Sequence, residues 1–178
     1  MNLEKIYIDA GFRHVETKFV GRAKYIGWEE QFMQIRTMTI ADYEKVYALW
    51  MSCKNMGFND IDDSKEGISR FLERNPNTSF VAMENDELLG IILGGHDGRR
   101  GYIYHMSVAE NHRKKGIGSS LVKKCLESFK NEKISKVALL VFKYNENGNA
   151  FWKKQGFILR EDVNYRNIGL RELVRIDT

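Results

Sequence analysis

Hydrophobic positions along the chain change their period several times, and each change marks an element. Gln34 to Met38 predicts a short strand. Thr39 then stands where a cap belongs, ahead of a helix with Tyr43, Val46, Leu49 and Trp50 on one face. Asp62, Asp63 and Ser64 introduce a second helix with Ile68, Phe71 and Leu72 as its apolar stripe, ended by Asn75-Pro76-Asn77. Ser79 to Met83 and Leu88 to Leu93 read as strands joined at Asn85-Asp86, a hairpin signal. Gly94 to Gly98 reads as a turn and Tyr102 to Val108 as the next strand. Ile117, Leu121, Val122, Cys125, Leu126 and Phe129 then recur at helical spacing. Val137 to Phe142 is nearly continuous in apolar residues, as a buried, parallel strand would be. A short helix over 149–155 and two strands near Phe157 to Val163 and Ile168 to Arg175 close the pattern. The element order predicts a mixed α/β sheet in one domain over residues 34–178.

Composition narrows the class. The 178 residues carry 28 basic and 24 acidic side chains, a formal net charge of +4. That mild excess suits a phosphate-bearing ligand and gives no dense basic face for nucleic acid. The N-terminus carries acidic residues and no long apolar core, so it does not read as a signal peptide, and no run is long enough to cross a bilayer. Cys53 and Cys125 lie far apart in helical patterns, with no Cys-x-x-Cys and no metal-ligand spacing. The expectation is a cytoplasmic protein with no metal and no membrane segment.

Candidate chemistry concentrates in two stretches. Arg113-Lys114-Lys115-Gly116-Ile117-Gly118-Ser119 follows a strand and opens a helix. Free amides and the positive end of the helix dipole converge there, and glycines let a pyrophosphate approach the backbone. Asn145 stands seven residues before Trp152, which is followed by three residues and Gly156-Phe157. Together the two stretches resemble the GNAT superfamily of N-acetyltransferases, which bind acetyl-coenzyme A. Arg113, Gly116 and Gly118 match that family's phosphate loop, and Asn145, Trp152, Gly156 and Phe157 match its later motif.

The resemblance implies a GNAT fold: a central mixed, mostly antiparallel sheet flanked by helices. It implies that amides from Lys114 to Ser119 hold the coenzyme A pyrophosphate and that Asn145 bonds the pantetheine arm. Met106-Ser107-Val108 would splay from the neighbouring strand, bond the pantetheine, and offer an amide to the thioester carbonyl. The reaction implied is direct attack by an amine on the thioester, with no metal and no covalent enzyme intermediate. The sequence departs from the family where acid and base usually sit. Trp152 replaces the usual tyrosine, and Tyr102 and Leu140 occupy the positions of two known glutamate bases. An indole has no useful acidity near neutral pH, which assigns Trp152 to packing against the pantetheine arm or the core. Tyr104 and His105 remain as candidate acid and base. Strand alternation predicts Tyr102, Tyr104 and Met106 on one face, His105 and Ser107 on the other.

The acceptor is less legible. Trp50, Phe58, Asp60, Asp62, Asp63 and Glu66 fall where such folds line the acceptor pocket, and acidic groups attract cationic amines. Asp62 and Asp63 equally suit the start of the following helix. A polyamine, an aminoglycoside, an amino acid and a protein N-terminus stay open. A coenzyme A binding module without catalysis is the rival reading. Nucleic-acid binding by the Arg113 to Lys115 cluster ranks below both, because it leaves the Asn145 to Phe157 pattern unexplained. Residues 1–33 form an N-terminal extension. Within it Ile6 to Phe12 echoes Phe151 to Phe157, and Lys24 to Trp28 echoes Arg166 to Leu170. The extension resembles the closing helix and strands of another such domain, and a swapped arm of that kind would make a homodimer.

Overall fold

The computed structural model describes residues 12–20, 23–30 and 33–178. β1 (Phe12–Val20) and β2 (Ala23–Glu30) pair antiparallel as a two-stranded hairpin, from Phe12 opposite Glu30 to Val20 opposite Ala23. The helical part of the N-terminal likeness, over residues 6–11, lies outside the described residues.

The main sheet has five strands: β3 (Gln34–Thr37), β5 (Phe80–Glu84), β6 (Glu87–His96), β7 (Gly101–Val108) and β8 (Val137–Leu139), in the order β3-β5-β6-β7-β8. Every pairing is antiparallel except β7 with β8, which is parallel. β4 (Gly57–Asn59) and β9 (Arg175–Asp177) form a separate short ladder. Alternation in β5 divides the core in two. Val81 and Met83 face one cluster with Tyr43, Val46, Leu49 and Trp50 of α1 (Tyr43–Ser52) and Ile68 and Leu72 of α2 (Lys65–Arg74). Phe80 and Ala82 face the other, with Ile117, Leu121, Val122, Cys125 and Phe129 of α3 (Ile117–Asn131). Helices thus cover both faces of a mostly antiparallel sheet, the mixed α/β architecture the sequence implied. No helix among the described residues is long and apolar enough to cross a membrane.

Local chemistry accounts for the boundaries. Asp42 accepts the Thr39 amide at 2.9 Å while its carboxylate chelates Arg36 at 2.8 and 2.6 Å, which pins the turn before α1. The Ser64 hydroxyl accepts the Gly67 amide at 3.0 Å and starts α2. Asn85 and Asp86 both take positive φ, 46° and 65°, in the tight β5–β6 turn.

Four expectations are corrected. Gly94, Gly95 and His96 continue β6 instead of turning, and the turn begins at Asp97, whose carboxylate accepts the Arg99 and Arg100 amides at 2.7 and 2.6 Å. Missing side chains at Gly94 and Gly95 let Cys125 and Phe71 press against the strand from opposite sides. The apolar run Val137 to Phe142 gives only a three-residue strand, half-buried rather than buried. β8 is the last strand of its sheet, so its far edge adds no ladder to prolong it. The strands expected over 157–163 and 168–175 are irregular apart from β9, and α4 (Glu146–Lys154) begins three residues earlier than expected. Period-2 patterning cannot hold a strand without a neighbouring edge to bond, and Ile158, Leu159, Ile168 and Leu170 stay exposed.

Candidate active site

The segment after β7 leaves backbone donors free at the start of a helix. Arg113 bonds back through its amide to Glu110 O at 3.2 Å, after which Lys114 and Gly116 both take positive φ, 63° and 85°. Gly116 is the N-cap of the fifteen-residue α3 and supplies no side-chain cap. The first intrahelical bond there is Ser120 N–H to Gly116 O, at 3.0 Å. The amides of Ile117, Gly118 and Ser119 therefore lie in the uncapped first turn, at the positive end of the helix dipole. A Cβ placed on Gly116 would meet nothing within 4 Å, so the space above the turn is open. Lys114 and Lys115 are exposed beside it. Donors, charge and free volume fit a pyrophosphate. Arg113 is turned differently from expectation: its Nε donates to Val108 O at 3.1 Å and its guanidinium reaches Cys53 Sγ at 3.8 Å. It braces the strand end and contributes charge at short range.

β7 and β8 part where the coenzyme arm was expected. Their pairing covers only Gly101 to Ile103 against Val137 to Leu139, and Met106-Ser107-Val108 continues without β8 beside it. Asn145 is not on a strand. It caps α4, its side-chain oxygen accepting the Gly148 amide at 2.9 Å, a bond that leaves its Nδ2 out of the cap. Trp152 packs edge-on between Phe151 and Phe157 against the α3 core, the packing role expected of an indole there. Phe151 and Met106 both crowd Gly118, where a Cβ would come within 3.3 and 2.8 Å of them.

A bulge in β7 overturns the expected division of faces. Leu93 pairs with His105 and Gly94 with Ile103, which leaves Tyr104 as an extra residue. Met106 consequently packs on the α3 side, while Tyr102, Tyr104 and His105 all meet residues of the α1–α2 side. His105 lies edge-on to Trp50, ring centroids 5.0 Å apart, and 4.9 Å from the ring of Phe58. Its Nε2 is 2.7 Å from Asp63 Oδ1. Asp63 is held from three sides: its Oδ2 accepts the Asn59 amide at 2.8 Å, its carbonyl accepts the Tyr43 hydroxyl at 2.9 Å, and its side chain is buried. With Asp63 as acceptor, His105 donates from Nε2, which makes Nδ1 the nitrogen that accepts whenever the ring is neutral. Trp50 Nε1 and Ser107 Oγ are buried with no hydrogen-bond partner among the described residues; both flank His105, one by ring contact, the other two residues along β7. Burial raises the Tyr104 phenol above its ordinary range, helped by the Asp97 charge and opposed by Arg74. Burial also lifts Tyr102 to about 12.

Sequence reasoning singled out Asp63 only among acids attracting an amine or starting a helix, and no sequence signal links it to a histidine 42 residues on. The other loop acids are also engaged: Asp60 accepts the Val174 amide at 2.8 Å and Asp62 accepts from Asn59 at 3.0 Å. Leu140, at one glutamate position of related folds, points largely to solvent. Among the described residues no cluster of three or more His, Cys, Asp or Glu is arranged to hold a metal.

Comparison with known proteins agrees with this geometry. Residues 43–157 match the model of the acetyltransferase (GNAT) family. An acetyltransferase of Sodalis glossinidius is 28% identical over 131 residues, 74% of this chain and 91% of that protein. One of Pectobacterium atrosepticum is 31% identical over 114 residues, 64% of this chain and 79% of that protein. Among solved structures, Ard1 from Thermoplasma volcanium superposes with a TM-score of 0.64 at 23% identity, covering 72% of this chain and 84% of its own. The PaiA N-acetyltransferase from Thermoplasma acidophilum, solved with coenzyme A, superposes at 0.63 with 17% identity, covering 83% and 99%. Those two likenesses concern the fold.

Proposed function

The chain belongs to the acetyltransferase (GNAT) family and is an acyltransferase that uses acetyl-coenzyme A, and from that premise we propose that it acetylates a primary amine by direct attack in a ternary complex, with His105 as general base and Tyr104 as proton donor. The carrying observation is the buried pair of His105 Nε2 and Asp63 Oδ1 at 2.7 Å, on the face of the sheet opposite α3.

Bound acetyl-coenzyme A supplies an electrophilic thioester carbon and a thiolate leaving group. The uncapped turn at Ile117, Gly118 and Ser119 binds its pyrophosphate, and Lys114 and Lys115 add charge. Met106-Ser107-Val108, unpaired on the β8 side, offers backbone groups to the pantetheine and an amide to the thioester oxygen. Asn145 Nδ2 is a further donor for the arm. The amine reaches the site from the α1–α2 side, where His105 Nδ1 accepts its proton while Asp63 stabilises the imidazolium that forms. The C–N bond forms, the C–S bond breaks, and Tyr104 gives its proton to the departing sulfur. A phenol is protonated at neutral pH, and burial shifts this one further in the same direction. Trp50 Nε1 and Ser107 Oγ are polar sites that an acceptor or a water beside His105 satisfies. Two buried, free thiols suit a reducing, cytoplasmic setting.

The test is thiol release from acetyl-coenzyme A across a panel of amines, run beside a direct binding measurement. Wild type turns over at least one amine. His105→Gln binds acetyl-coenzyme A as tightly but loses about 10²–10⁴ in turnover, the usual weight of a positioned base. Tight binding with no turnover of any amine would leave the silent coenzyme A module as the better reading.

A further inference from the structure

Against Tyr104, the residue before His105, lies a cavity of about 500 Å³ between the end of α2 and the starts of β7 and β8. Its wall is aromatic, formed by Phe71, Tyr102 and Tyr104, with Phe71 edge-on to Tyr104 at 5.2 Å. Its rim is cationic, formed by Arg74, Arg100 and Lys136. None of the three is within ion-pair distance of a carboxylate among the described residues. Among the described residues the Arg100 guanidinium donates only to the neutral Ser135 hydroxyl, at 3.3 Å. One carboxylate, Asp97, shares the lining and stays charged while it accepts the Arg99 and Arg100 amides, and Asp162, which feels Lys136, is chelated by Arg160 at 2.6 Å, so three cations face one anion around the cavity. Of the acids that the sequence offered for attracting a cation, Asp60, Asp62 and Asp63 are committed to internal bonds, and Glu66 lies exposed in the first turn of α2.

We propose that this cavity holds the acceptor by an anion: the substrate is a small amine that also carries a carboxylate and an apolar or aromatic body. The inference rests on the acetyl-transfer reading for the amine end only. Tyr104, which the β7 bulge sets on the same face as His105, is the next residue in the chain and a wall of the cavity. An amine at His105 therefore places the rest of a small molecule against Phe71 and Tyr102, with its carboxylate toward Arg74 and Arg100. Guanidinium groups favour that role because their fork matches a carboxylate. A polyamine or aminoglycoside meets like charge at the same rim.

The binding test uses 3-phenylpropanoate and 3-phenylpropylamine, which share ring and chain and differ in charge, titrated calorimetrically into protein saturated with coenzyme A. The carboxylate should bind at least about tenfold more tightly than the amine, and the Arg74→Gln, Arg100→Gln double variant should weaken it by roughly 10- to 100-fold, as loss of charge-assisted bonds does. Coenzyme A affinity in the variant should be unchanged, which also reports folding. An amine bound as tightly as the carboxylate, no detectable binding of the carboxylate, or a carboxylate affinity indifferent to both arginines overturns the inference. Turnover is read separately, with phenylalanine against phenethylamine and acetyl-coenzyme A as donor. Arginine-dependent carboxylate binding without turnover of any amine counts against acetyl transfer and leaves the anion site standing. Turnover that favours phenethylamine keeps acetyl transfer and removes the anion site.

Discussion

Replacing Gly116 with valine separates a phosphate cradle from a mere turn. Gly116 takes φ +85°, and a Cβ there would meet nothing within 4 Å. The cost to folding is therefore backbone strain without a clash, about 1–2 kcal/mol for a side chain forced into the left-handed region. In a domain of this size that lowers Tm by about 2–8 °C. The cost to ligand binding is of another kind, because the valine methyls project into the open space above the first-turn amides. Acetyl-coenzyme A at a hundred times its Kd stabilises the wild type by about 2.7 kcal/mol, a rise of roughly 5–11 °C. Gly98 provides a matched control: φ is +87° and a Cβ again meets nothing within 4 Å, but it lies in the β6–β7 turn. Both variants should melt earlier by similar amounts in a thermal scan without ligand. With acetyl-coenzyme A, Gly98→Val should recover the full rise and Gly116→Val should recover little of it. A full rise in Gly116→Val, or an equal loss in both variants, would refute the cradle.

Asp63→Asn removes the anion behind His105 while keeping the side-chain shape. Loss of a charged acceptor for the Asn59 amide and the imidazole should cost about 1–3 kcal/mol of stability. Turnover of the best amine should fall at least about tenfold with acetyl-coenzyme A binding intact. Adding Asp63→Asn to His105→Gln should lower turnover no further; independent, additive losses would deny Asp63 its positioning role. Acid stability gives a prediction away from the site. The bidentate bond from Arg36 holds the Asp42 carboxyl below its ordinary 3.8, with the Thr39 amide helping. A depressed folded pKa contributes stability above the unfolded value and loses it as pH falls through the folded one. Asp42→Asn should therefore lose about 2 kcal/mol in urea melts at pH 7, and its gap from wild type should close below about pH 4. A gap independent of pH would show that Asp42 acts through packing.

Most of the domain was legible because its elements are held by patterns local in sequence. α1, α2 and α3 carry their apolar stripes at helical spacing, and the same residues are buried against the sheet. Asn85-Asp86 specifies the β5–β6 turn by its own tolerance of positive φ. The uncapped helix start at Gly116 was legible for a similar reason, since its glycines and basic residues are contiguous. What failed depends on neighbours. Gly94 and Gly95 look like turn residues in sequence, yet they are strand residues because helices on both sides need the space. Residues 157–174 have a strand-like pattern and, among the described residues, no sheet edge along them, and hydropathy cannot say whether an edge is there.

The candidate base shows the same limit at the scale of one residue. Strict alternation puts Tyr104 and His105 on opposite faces, which would leave them unable to serve one substrate. A single unpaired residue in β7 brings both to the α1–α2 side and sends Met106 to the α3 side, against Gly118 of the phosphate helix. On the proposed reading the bulge lets one strand address both reactants, its α3 face toward the coenzyme loop and its other face toward the acceptor. Register can be written only when the partner strand is known, because Leu93 opposite His105 and Gly94 opposite Ile103 are facts about β6 as much as β7. The Asp63 contact follows from the same placement, since His105 reaches the start of α2 only from the face the bulge gives it. Motif and dipole made the candidate cofactor loop readable; the candidate acid–base pair had to wait for the register.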